Sequence, residues 1–147
     1  MPLNEEDKIK DYVRQVIVVR EDLSMPRGKI AAMVAHAAMS FLTSKMRVAE
    51  NEGWIPLTDV EVQWLTELDP GLELLNQKSF AKIVLAVKTE QELNEVAEKA
   101  NIAGLHVEYV HDSGYSHNPA GTFTCVAIGP DMKSRLDPVT RELRILR

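Results

Sequence analysis

Residues 13 to 20, VRQVIVVR, form a β-branched run short enough to be a buried strand, and an alanine-rich stretch, RGKIAAMVAHAAMS, begins at residue 27. A strand that feeds a helix through so short a turn commits the chain to an α/β layout and holds whatever opens the helix on a strand-to-helix turn. Between them, Glu21 to Pro26 makes the turn, with Ser24 or Asp22 able to cap and Pro26 suited to the first helical turn. The helix is expected to run to about Arg47.

Its head carries Arg27, Gly28 and Lys29. At 100° per residue, Lys29, Met33, His36 and Ser40 fall at about 0°, 40°, −20° and 20°, one narrow stripe, while Ile30, Val34, Ala38 and Phe41 face the core. A lysine in the first turn is repelled by the positive end of the helix dipole by a few tenths of a kcal/mol. It is usually a solvated charge, but a cation beside free backbone N–H groups also makes a place for an anion.

The remaining chain supplies partners for this unit. Residues 48 to 80 are broken by Gly53 and Pro56, hold a short helix capped by Thr58 or Asp59 and running through Leu68, and read as an excursion beside the sheet. AKIVLAV (81 to 87) is a second strand. Thr89, with Glu92 three residues on, signals a capping box for a helix whose inward face is Leu93, Val96, Ala97 and Ala100, stopped by Gly104. Strands follow at His106 to His111 and Thr122 to Ile128, joined by DSGYSHNPAG, and the tail from Asp131 holds a helical turn or two and a loose or strand-like RELRILR. Strand, helix, strand, helix, strand implies parallel pairing, and the helix-free loop implies a reversed fourth strand. The expected architecture is a three-layer α/β/α sandwich around a small mixed, mostly parallel sheet, in a single domain spanning residues 1 to 147 with a frayed lead-in over 1 to 11.

Composition narrows the function. The 147 residues, 45% hydrophobic and 27% charged, carry one cysteine, Cys125, so neither a disulfide framework nor a cysteine-ligated zinc is available. A reducing cytoplasm is the natural compartment. The polar N-terminus is neither a signal peptide nor an anchor, and no apolar run approaches the roughly 18 residues of a membrane span. The net charge of −5 argues against a phosphate-rich partner, yet residues 49 to 80 hold one Lys/Arg against seven Asp/Glu, so a basic face can survive elsewhere.

Ligands of open α/β sheets bind beyond the carboxyl ends of the strands, and that edge collects Lys29 and the loop opened by Asp112. The loop offers Ser113, Ser116, His117 and Asn118, with Gly114 and Gly121 allowing close backbone approach. An ordinary polar turn in which Asp112 caps its own backbone fits the spacing equally well. His111 and His117 flank Asp112 without metal-motif spacing, Cys125 reads as an inert core thiol, and no phosphate-loop or dinucleotide fingerprint is present.

Three ordered blocks, QVIVVREDLSMPRGKIAAMVAHAAM, AKIVLAVKTEQELNEVAEKANIAGL and HDSGYSHNPAGTFTCVAIGP, resemble the type II peptidyl-tRNA hydrolase family. The resemblance implies an α/β/α sandwich, often homodimeric, acting as a cytoplasmic esterase without metal or cofactor that releases peptide from tRNA. By position it assigns catalytic roles to Lys29, Asp112, Ser116 (threonine in the family) and Thr124. Arg27 and Gly28 at the helix head, Met33 and His36 on its stripe and Gly114 in the loop are the candidates for substrate contact. Met33 stands where the family has glutamine, a thioether in place of an amide. That departure motivates one alternative, a catalytically impaired binding or regulatory module, and the acidic balance motivates another, an esterase on a small N-acyl ester.

Overall fold

The computed structural model describes residues 11–53 and 56–147; the lead-in expected over 1 to 11 lies, up to residue 10, outside them. The elements run β1 (Val13–Arg20), α1 (Arg27–Glu52), α2 (Asp59–Thr66), a single 3₁₀ turn (Glu73–Leu75), β2 (Lys82–Val87), α3 (Glu90–Ile102), β3 (Val107–His111), β4 (Phe123–Met132), α4 (Lys133–Thr140) and β5 (Arg144–Ile145).

The five strands lie in the order β3-β4-β1-β2-β5. Only β1 and β2 pair in parallel; β1–β4, β3–β4 and β2–β5 are antiparallel. The expectation of a mostly parallel sheet is therefore corrected. β1, β2 and β3 do point the same way, but the reversed β4 inserts between β1 and β3 and turns one expected parallel neighbour into two antiparallel ones.

Strand alternation divides the core into layers. Val16 and Val18 of β1 face α3 and α4 together with Leu93, Val96, Ala97, Ala100, Leu136 and Val139, all buried. Ile17 and Val19 face α1, meeting Ala37 with Ile30, Val34 and Ala38 around it. Near the amino end of β1, Phe41 of α1 packs against Val13 and Trp64 of α2. The Trp64 ring stands edge-on to Phe41 at 5.8 Å and to Phe80 at 5.6 Å, and its Nε1 donates to the Ala81 carbonyl at 2.7 Å. Such ring pairs add about 0.5–1.5 kcal/mol each beyond burial, so α2 is fastened to the sheet.

Local signals were rewritten in three places. α1 continues past Arg47 to Glu52, ending at Gly53 with φ 88°. Neither Ser24 nor Asp22 caps it: Pro26 is the residue before its first turn and no side chain caps that end, while Asp22 is held by Arg20 at 2.7 Å. Thr89 does accept from Glu92 N at 3.2 Å, but the Glu92 carboxylate takes the N–H of Lys88 rather than that of Thr89, so only half a capping box forms. The complete box lies at Thr58 and Glu61, where Glu61 is buried and also paired with Lys45.

Candidate active site

The carboxyl ends of β1 and β3 deliver their loops to one place. Lys29, in the first turn of α1, extends its ammonium to Asp112, immediately after β3, with Nζ 2.9 Å from Oδ2 and 3.1 Å from Oδ1. The same ammonium donates to Ser116 Oγ at 2.7 Å. An ammonium has three N–H bonds. The carboxylate and the Ser116 hydroxyl hold it from two sides.

Asp112 is held from every side. Gly114 N donates to Oδ1 at 3.0 Å and Asn118 Nδ2 to Oδ2 at 3.0 Å, and the backbone of Asp112 is bonded to Thr122 and Gly121. Its side chain is fully buried, whereas that of Lys29 keeps 13% exposure, so the ammonium is the member of the pair that reaches solvent. The Gly114 N–H, then Lys29, then Asn118, outweigh the cost of burial and pull the Asp112 carboxyl down to about 2. It is a permanent anion at neutral pH and a weak proton acceptor.

The loop geometry explains its glycine. Gly114 adopts φ +88°, and a Cβ there would sit 2.5 Å from Ala120 N and 2.7 Å from its Cα. A side chain at 114 would push the N–H away from Asp112. At the other end, His117 Nε2 donates to the Leu23 carbonyl at 2.7 Å, which ties this loop to the turn before α1.

Of the residues expected in the site, Lys29, Asp112, Ser116 and Gly114 converge. Thr124 lies behind them, fully buried, its hydroxyl donating to the Val110 carbonyl at 3.2 Å and 3.6 Å from the sulfur of Met33. Met33 is half-buried between that hydroxyl and the α1 core. His36 is exposed beside Thr43, Met46 and Arg47, two turns from Lys29, or about 10 Å along the axis. Ser40 leaves the stripe altogether, buried and bonded to the His36 carbonyl at 2.8 Å. Arg27 and Gly28 are exposed at the uncapped helix end.

Asn118 is the contact that sequence reasoning named only as one polar group among several; an asparagine six positions after an aspartate, in a glycine- and proline-bearing loop, is its signal. Among the described residues no three His, Cys, Asp or Glu side chains gather as metal ligands. The His111 ring stacks on Phe123 at 5.2 Å, pointing its interactions elsewhere. Burial raises the Cys125 thiol to about 11, well above the range of a reactive thiolate.

Helices thus cover both faces of a mixed sheet, and a lysine–aspartate–hydroxyl cluster lies at its carboxyl edge. The family model described as peptidyl-tRNA hydrolase PTH2 matches residues 13–146. The chain is 40% identical to a peptidyl-tRNA hydrolase of Methanopyrus kandleri over 135 residues, 91% of this chain and 98% of that one. It is 35% identical to those of Thermoplasma acidophilum and Sulfolobus acidocaldarius, over 90% and 91% of its length and 97% and 100% of theirs. The chain belongs to the peptidyl-tRNA hydrolase PTH2 family.

Proposed function

We propose that this chain hydrolyses the ester joining peptide to tRNA in peptidyl-tRNA, with Lys29 as the group that stabilises the developing oxyanion. The observation that carries this is a lysine fixed by Asp112 at 2.9 Å and Ser116 at 2.7 Å whose side chain still keeps solvent exposure at the carboxyl edge of the sheet, which sets an oriented cation where substrate can reach it.

In this account water attacks the ester carbonyl carbon, the carbonyl oxygen becomes an oxyanion facing Lys29, and collapse expels the ribose hydroxyl of the tRNA, which takes the proton lost by the water. Asp112 fixes Lys29 in place and keeps it paired; with its carboxyl held down to about 2 it is a poor general base. Ser116 accepts from Lys29 and orients the attacking water, and its hydroxyl takes the water's proton as it hands its own to the leaving ribose oxygen. An activated ester demands less of a base than an amide does. The uncapped N–H groups at Arg27 and Gly28 supply a second anion-binding element for the carbonyl or a phosphate. Thr124 acts from beneath, holding the β3–β4 frame and Met33 in position, and His36 extends the contact surface along α1 toward the tRNA.

We further take the protein to be a single-domain, cytoplasmic homodimer that needs no cofactor. Family membership and a translation substrate support this reading, and no helix among the described residues is long and apolar enough to cross a membrane. Met33 removes none of the contacts made by Lys29, so the impaired-member alternative gains no support from the site.

The test is peptide release from purified peptidyl-tRNA, with a free N-acyl ester as control and tRNA affinity measured against salt. Release from the tRNA ester, with log affinity falling by about 0.7–0.9 per phosphate contact for each unit of log salt, is expected. Hydrolysis of the free ester alone, with salt-independent binding, overturns the assignment.

A further inference from the structure

We propose that the protrusion formed by residues 67 to 79 of one copy docks into an apolar groove beside β5 of a second copy, reciprocally, about a two-fold axis. The proposal rests on the homodimeric reading above and specifies its interface.

The protrusion is ordered by its own backbone. Asp69 N bonds Gln77 O at 2.8 Å and Ser79 N bonds Glu67 O at 2.9 Å, with Leu68 and Lys78 bridged and Gly71 N held by the Asp69 carboxylate. At its tip Leu74 and Leu75 are 103% and 74% exposed, and Leu68 and Leu72 are exposed beside them. Four leucines on a hydrogen-bonded turn gain nothing from solvent, and contiguous exposed apolar groups of this kind mark interaction sites. Asp69 and Glu73 give the tip an acidic rim.

The receptor is on the same molecule. Ile30 and Val34 of α1, Val84 of β2 and Leu146 line an open groove of about 380 Å³, bordered by Arg27 and Arg147. Neither arginine has an ion-pair partner among the described residues. Apolar tip with acidic rim thus matches apolar groove with basic rim, in sign as well as character.

Placement makes the match self-complementary. The protrusion leads through Phe80 into the amino end of β2, while the groove lies at Val84, whose carbonyl accepts Leu146 N at 3.0 Å. Phe80 and Val84 are about 13 Å apart along an extended strand. Phe80 packs in the layer of α1 and α2 and Val84 in that of α1, so both ends of the match begin on one face of β2, and the proposed two-fold axis runs perpendicular to that strand in a closed, isologous pair. Around α1, Ile30 and Val34 lie about 100° and 140° from Lys29, so the groove turns away from the ammonium and meets the site only at Arg27.

Sedimentation of the full chain across the micromolar range tests this, with peptidyl-tRNA hydrolysis followed in parallel. The native chain should be dimeric; Leu74→Asp and Glu73→Arg should each weaken the dimer by about tenfold or more while hydrolysis persists. Arg147→Glu should weaken it likewise, and Glu73→Arg combined with Arg147→Glu should restore it, a rescue that misfolding cannot give. A native chain that stays monomeric overturns both the interface and the homodimer. A dimer indifferent to Leu74→Asp and Arg147→Glu overturns the interface alone, and the hydrolase assignment stands or falls separately on peptide release.

Discussion

Lys29 and Asp112, 83 positions apart in the chain, meet at 2.9 Å at the carboxyl edge of the sheet, the carboxylate wholly buried and the ammonium at the solvent boundary. The arrangement makes the acid a fixed support and the lysine the group presented to substrate.

One consequence concerns pH. The Asp112 carboxyl is lowered to about 2, so its folded value lies below its unfolded one, near 4. A depressed carboxylate contributes stability that is fully present above the unfolded value and is lost as pH falls from about 4 through about 2. In denaturant titrations Asp112→Asn should therefore lose less stability than the native chain across that window. Equal losses in the two proteins would mean that Asp112 is not held by these partners.

Gly114→Ala should be among the more damaging single-methyl changes in this chain. The new Cβ meets Ala120 backbone at 2.5 Å in a φ +88° conformation, and relief of that contact displaces an N–H from Asp112. Backbone strain of this kind costs about 1–3 kcal/mol. Thermal unfolding should show a lowered midpoint and kinetics a lowered turnover. An unchanged turnover would show that the loop can carry Asp112 without its glycine.

Much of this is legible in the sequence. VRQVIVVR and the alanine-rich run gave β1 and α1 because burial needs continuous apolar strands and a one-sided apolar helix, and the same logic located β2, α3, β3 and β4. That Lys29 and Asp112 share one edge followed from the common direction of β1 and β3; the 2.9 Å contact between them depends on the finished loop. The strand order did not follow, since insertion of β4 between β1 and β3 is decided by sheet pairing that no local pattern records. Thr58 caps α2 as one of the two residues expected there, with Lys45 pinning Glu61, whereas the cap expected from Ser24 or Asp22 is absent and the box expected at Thr89 is only half formed because Glu92 turns to Lys88. The inward turn of Thr124 and the grip of Asn118 on Asp112 likewise depend on the finished loop.

Met33 provides a separate check. Its sulfur lies 3.6 Å from the Thr124 hydroxyl, where a glutamine carbonyl would accept a stronger hydrogen bond. Met33→Gln should keep the fold and maintain or raise turnover, read from steady-state hydrolysis beside a melting curve. A large drop in turnover at unchanged stability would mean that the pocket has been rebuilt around the thioether.

The central claim is that Lys29 acts in the transition state and Asp112 acts through it. Single-turnover hydrolysis of peptidyl-tRNA by Lys29→Met and Asp112→Asn, beside the tRNA affinity of each, tests it most directly. Loss of one oriented donor at an oxyanion is worth on the order of 100-fold in rate, about 2.7 kcal/mol. Both variants should fall by that order while affinity changes far less. Near-native hydrolysis by either variant, or a loss confined to binding, would contradict the account.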